Sequence, residues 1–164
     1  MSHLDFLSPD LPSADAVWRS PLERALAHAP PEIEDLSRTA VIEVRGELDG
    51  LDAGEAEVVR LTPERVLVLC PFEEAGRLRR RLAGAGRLVL DVSAGWAGLR
   101  VKGEALMRRL TDLDLDTLPA VGSLAHVHGL VIRDEGETFR LYFPQEYGHS
   151  VAETVLDAAE GLRR

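Results

Sequence analysis

One pattern, used twice, constrains this chain more than any other feature. Residues 65–81 read R-V-L-V-L-C-P-F-E-E-A-G-R-L-R-R-R, and residues 138–154 read T-F-R-L-Y-F-P-Q-E-Y-G-H-S-V-A-E-T. Each copy is an apolar strand, then a proline, then acidic residues opening an amphipathic helix. Proline lacks a backbone donor and so closes the strand while it presets the turn that follows. Pro71 and Pro144 stand 73 residues apart. A second echo lies upstream of each copy, I-E-V-R-G-E at 42–47 and L-R-V-K-G-E at 99–104. The duplication predicts two similarly built lobes in an α+β body.

The element order extends this reading. Alternating apolar and polar residues predict strands at 40–45, 57–61, 66–70 and 87–92. A helix over 73–83 fits among them, with Ala75, Leu78 and Leu82 spaced for one buried stripe. The second lobe is predicted as strand 97–102, helix 104–110, one long strand 124–133, strand 138–143 and helix 146–162. The turn Asp134-Glu135-Gly136-Glu137 makes the last two strands an antiparallel hairpin. Domain limits follow: an N-terminal arm over 1–38 and a two-lobed domain over 39–164, with lobes of about 39–93 and 94–164. Five prolines punctuate the arm, which carries Phe6 and Trp18 and a short predicted helix at 21–28. The predicted class is α+β, each lobe an antiparallel sheet with its helices on one side.

The 164 residues suit one domain or two closely packed lobes, and 45% hydrophobic residues supply a core. A formal charge of -9 opposes binding to phosphate backbones and to anionic lipid. The single cysteine, Cys70, lies in an apolar strand, which reads as a buried structural thiol and fits a reducing compartment. The N-terminus lacks the basic start and long apolar run of a signal peptide, and no stretch approaches the ~20 apolar residues of a membrane span. A cytoplasmic location is expected.

Few residues suggest chemistry. His126 and His128 are expected to share one face of the long strand. Two imidazoles would begin a metal site, but no third ligand is placed, so a polar strand face or partner contact is the expectation. Asp112, Asp114 and Asp116 lack the glycine and glutamate of a calcium loop. Arg77, Arg79, Arg80 and Arg81 read as ion-pair partners of Glu73 and Glu74 on a wet helix face. Ser93 with Asp91 lacks the strained turn of a nucleophile elbow. Tyr147 and His149 stand at the start of the last helix, where capping and packing are the expectation.

Residues 91–115, D-V-S-A-G-W-A-G-L-R-V-K-G-E-A-L-M-R-R-L-T-D-L-D-L, resemble a segment shared by two families. These are the folate-binding domain of aminomethyltransferases (the glycine cleavage T-protein) and the gamma subunit of heterotetrameric sarcosine oxidase. Ser20-Pro21-Leu22, Val44-Arg45-Gly46 and Phe139-Arg140-Leu141 follow the same motif order, so the resemblance spans about 21–160. It implies a fold like the T-protein folate-binding domain. It also implies a non-catalytic gamma-like subunit in a complex that demethylates sarcosine oxidatively, with FAD and FMN on larger flavoprotein subunits. No cofactor is expected on this chain alone; the alternative it implies is a free-standing tetrahydrofolate-binding module. Trp96, Arg100, His126, His128, Arg140, Tyr147 and His149 are the residues expected to meet folate or a partner. Lys102-Gly103-Glu104-Ala105 departs from a G-P-x-A family pattern. The T-protein carries a catalytic aspartate a few residues past a comparable glycine; here Leu130 to Ile132 read as a buried strand after Gly129, and Asp134 falls at the hairpin turn instead.

Overall fold

The computed structural model describes residues 19–164. The arm residues Phe6 and Trp18 lie outside the described residues. Among the described residues, nine strands form two wholly antiparallel sheets. The first lobe comprises β2 (Thr39–Gly46), β3 (Glu57–Thr62), β4 (Arg65–Pro71) and β5 (Arg87–Asp91), in the order β3-β4-β2-β5. The second comprises β1 (Ile33–Asp35), β6 (Trp96–Lys102), β7 (Ala120–Leu124), β8 (Val127–Arg133) and β9 (Thr138–Pro144), in the order β1-β6-β9-β8-β7. Helix α1 (Ala75–Leu82) belongs to the first lobe, and α2 (Glu104–Leu110) with α3 (Gly148–Arg163) to the second.

Both copies of the repeated pattern fold alike. Pro71 has φ -53° and ψ 139°, and Pro144 has φ -59° and ψ 131°. A three-residue 3-10 turn follows each (Phe72–Glu74 and Gln145–Tyr147) and leads into α1 or α3. The upstream echo repeats too, since Gly46 and Gly103 both have strongly positive φ, +103° and +113°. Side chains rarely adopt that region. At Gly46 an added Cβ would also lie 2.2 Å from the Gly86 carbonyl oxygen. The two sheets share one strand order if β2 is matched with β6, β4 with β9 and β3 with β8. The seat that β5 fills beside β2 is filled beside β6 by β1, which comes from upstream in the chain.

Strand alternation sorts the core into three layers. Ala40, Ile42, Val44, Val66, Val68 and Cys70 face α1 with its buried stripe Ala75, Leu78 and Leu82. Leu99, Val101, Phe139, Leu141 and Phe143 face α2 and α3, joined by Val151, Ala152, Val155 and Leu22 from the N-terminal segment. The opposite faces of the two sheets pack on each other through Val41, Val59, Leu67, Leu69, Leu130, Ile132 and Tyr142. The lobes therefore stack helix, sheet, sheet, helix. No helix among the described residues is long and apolar enough to cross a membrane.

Two local expectations are corrected. The helix predicted at 21–28 is a run of turns, because a segment that short between Pro21 and the pair Pro30-Pro31 does not repay helix nucleation. The strand predicted over 124–133 begins only at Val127, as β8, and the chain before it forms a separate strand, β7, that was not predicted. Ala125 (φ 47°) and His126 (φ 68°) form a two-residue reversal between β7 and β8. Consecutive positive φ values mark the turn that matches strand twist, and its usual asparagine or glycine signal is missing here. Burial of Ala125 and the bond from its N–H to the Leu110 carbonyl (2.7 Å) hold the reversal in place.

Because both lobes share the inter-sheet layer, Leu67→Ala should cost about 2–5 kcal/mol and still give one unfolding transition. Urea denaturation followed by tryptophan fluorescence and far-UV circular dichroism should report the same midpoint.

Candidate functional site

The charged groups of interest concentrate between the sheets. Arg140 sits on the inner face of β9, directly opposite Arg100 of β6. Its guanidinium reaches across to the other lobe and binds both carboxylate oxygens of Glu57 on β3, at 2.6 and 3.0 Å. It also bonds Asp134, in the loop between β8 and β9, at 2.8 Å. Burial works against its charge, but the hydrogen bonds it donates to Glu57 and Asp134 outweigh that and raise its pKa above the usual guanidinium range. One arginine thus clamps the lobes together, and Asp134 is committed to that clamp.

Glu43 is the second buried charge. It lies on the inner face of β2, only 5% exposed. Arg65 holds it through Nε at 2.7 Å and Nη2 at 3.2 Å, and Arg45 binds the same carboxylate. Burial pushes the carboxyl up, while the bonds from Arg45 and Arg65 pull it further down, so the net shift is below the ordinary value of 4.5.

Beside this cluster the sheets part. A cleft of about 380 Å³ opens between β3 and β4 on one side and β7 and β8 on the other. Val59, Leu61, Val121 and Leu130 line it together with Arg60, Arg65 and His128. A hollow of about 460 Å³ at α1 is bordered by Cys70, with Glu55, Glu74, Arg77 and Arg81. Burial raises the Cys70 thiol pKa, and Glu74 and Asp91 add to the shift, which keeps the thiol protonated and unreactive.

The residues expected to meet a ligand or partner do not converge. Trp96 and Arg100 share the inner face of β6 with Arg140 nearby on β9, and Arg100 is paired with Glu34 at 2.6 Å. His128 lines the cleft. His126 is exposed in the β7–β8 reversal, so the two histidines do not share a strand face; the chain turns between them. Tyr147 is exposed in the 3-10 turn before α3. His149 lies on α3, its Nε2 3.2 Å from Glu153. Among the described residues no three His, Cys, Asp or Glu side chains are grouped to hold a metal.

Other motifs resolve into structural roles. The Ser93 hydroxyl accepts from the Val41 amide at 2.9 Å and donates to Asp91 at 2.6 Å. The D-V-S motif therefore ties the end of β5 to β2. On α1, Arg79 and Arg81 pair with Asp91 and Asp52, not with Glu73 and Glu74. Helical spacing could not show this, because both partners come from loops and strands distant in sequence. The Glu57–Arg140 and Glu43–Arg65 pairs were equally hidden, since their partners lie 83 and 22 residues apart.

The arrangement is a duplicated α+β fold whose lobes are fastened by an apolar inter-sheet layer and the Arg140–Glu57 ion pair. No protein-family model and no curated protein matches the sequence. Solved structures do match in fold. A chain of the heterotetrameric sarcosine oxidase from Corynebacterium sp. U-96, in complex with pyrrole 2-carboxylate, superposes with a TM-score of 0.72 at 18% identity, covering 91% of this chain and 98% of that one. The glycine cleavage system aminomethyltransferase T from Bartonella henselae matches with a TM-score of 0.55 at 16% identity, over 76% of this chain and 45% of that one. The α+β fold is therefore that of both proteins whose families the sequence motifs resemble.

Replacing Arg140 by Met should cost about 2–4 kcal/mol, because it leaves Glu57 and Asp134 partly buried without their cation; the urea midpoint measures this. Glu43 has a depressed folded-state pKa, so its contribution is full above its unfolded value and is lost as pH falls through the folded one. The stability gap between wild type and Glu43→Gln should therefore close on acidification below the ordinary 4.5. Denaturation series at pH 3 to 7 should display it.

Proposed function

We propose that this chain is a gamma-subunit-like, non-catalytic component of a sarcosine-oxidase-type complex. In this reading larger flavoprotein subunits, bearing FAD and FMN, perform the oxidative demethylation of sarcosine in the cytoplasm. The observation that carries the proposal is the fold match: the sarcosine oxidase chain superposes with a TM-score of 0.72 over 91% of this chain, against 0.55 over 76% for the aminomethyltransferase.

The side-chain chemistry supports the same reading. Arg140, Asp134, Glu43 and Ser93 are engaged in fastening strands and lobes. The first-lobe sheet also offers contact surface. Edge strand β5 exposes Leu88 and Leu90 at 52% and 36% on the side away from α1, and an assembly with the flavoprotein subunits would cover this pair.

A tagged chain expressed at native level in its own host should co-purify larger subunits with flavin absorbance. Leu88→Asp should reduce their recovery about tenfold while leaving the circular dichroism spectrum unchanged, in line with loss of an apolar interface contact. Recovery of the chain alone at native level would overturn the assignment. The match to the aminomethyltransferase favours a second reading, a tetrahydrofolate-binding module. Saturable heat on calorimetric titration with tetrahydrofolate at high micromolar concentration would support it.

A further inference from the structure

The cleft between the sheets differs in character from the rest of the molecule. The chain carries a formal charge of -9, yet no carboxylate among the described residues lines this cleft. Its rim holds Arg60, Arg65 and His128. Glu43 is shared by Arg45 and Arg65, so the rim residue Arg65 shares its counter-ion with a second guanidinium. Arg60 donates from Nη1 to the Pro63 carbonyl at 3.0 Å, and Arg65 uses Nε and Nη2 on Glu43. A guanidinium has five N–H donors, so both arginines retain donors for a further acceptor.

Behind the cationic rim the walls are apolar. Val59 and Leu130 are buried at the base, and Leu61 and Val121 flank the opening. The volume of about 380 Å³ lies within the range of small-molecule sites. The hollow at α1 lacks this polarity, because Glu55 and Glu74 stand among its arginines. An apolar base with an unbalanced cationic mouth selects for one chemistry: an apolar body that leaves water, joined to an anionic head that the arginines bind.

We propose that this inter-sheet cleft is a binding site for a small amphipathic organic anion, an aromatic or branched carboxylate. The carboxylate lies at Arg60 and Arg65, and the apolar body rests on Val59, Leu61 and Leu130. His128 closes the mouth from β8. The proposal does not depend on assembly with flavoprotein subunits.

The test is a titration of the full-length 15N-labelled chain with phenylacetate, and in parallel with neutral phenylacetamide, followed by NMR. Saturable shifts are expected at the amides of 59–61, 120–121 and 128. Affinity should fall about tenfold for phenylacetamide and for Arg65→Met, as expected for a charge-assisted hydrogen bond. Arg65→Met also disturbs Glu43, so Arg60→Met, which gives up only a bond to the Pro63 carbonyl, serves as the second variant; the same loss is expected. Non-saturating shifts, shifts centred elsewhere, or equal affinity for acid and amide would overturn the proposal. So would full affinity in Arg60→Met. Phenylacetate binding at the cleft without heat from tetrahydrofolate would uphold this site while removing the folate reading.

Discussion

The two lobes are held by what lies between their sheets. Each sheet already has a helix layer on its outer face, so its inner face must be buried by something else. The other lobe buries it, through Val41, Leu67 and Leu69 on one side and Leu130, Ile132 and Tyr142 on the other. Apolar contact fixes distance but not register, since it has no direction. Direction comes from Arg140, whose planar fork fits the Glu57 carboxylate in one orientation. That single side chain relates β9 of one lobe to β3 of the other.

The outline of this fold was legible because the duplication is written in residues with backbone consequences. Prolines 71 and 144 end their strands with the same geometry, and glycines 46 and 103 share a conformation that other residues resist. The helix stripe Ala75, Leu78 and Leu82 followed from periodicity alone and is the buried face of α1. Two strands escaped notice for physical reasons. Strand β1 has three residues, too few for alternation to register, and is a strand only because β6 pairs with it. Strand β7 was missed, and β8 was started early at Leu124, because Ala125-His126 carries no turn signal; tertiary contacts impose the reversal.

The candidate site was harder to read. Aromatic, arginine and histidine residues of the second lobe were sensible ligand candidates, but sequence says nothing about which sheet face meets another sheet. Arg140 and Asp134 became a clamp, and Arg100 a partner of Glu34. The cleft draws most of its lining from β3, β4 and β7, and His128 alone connects it with the residues singled out from sequence. Arg60 belonged to no motif, and Arg65 only opened the first copy of the repeat, with nothing to mark it as a ligand contact. Their significance arises where the two sheets diverge.

The unequal origin of the two edge strands bears on how the chain is put together as it is made. The first lobe draws every strand from 39–91, so its sheet is complete once that stretch has left the ribosome. Residues 33–35 emerge before it but find their place only against β6, with Glu34 meeting Arg100 at a separation of 66 residues. Closing a loop of that length before its reward exists is entropically unfavourable. The earlier lobe therefore takes shape inside the loop that β1 later closes, and the late strand fastens the start of the chain across a body already half assembled.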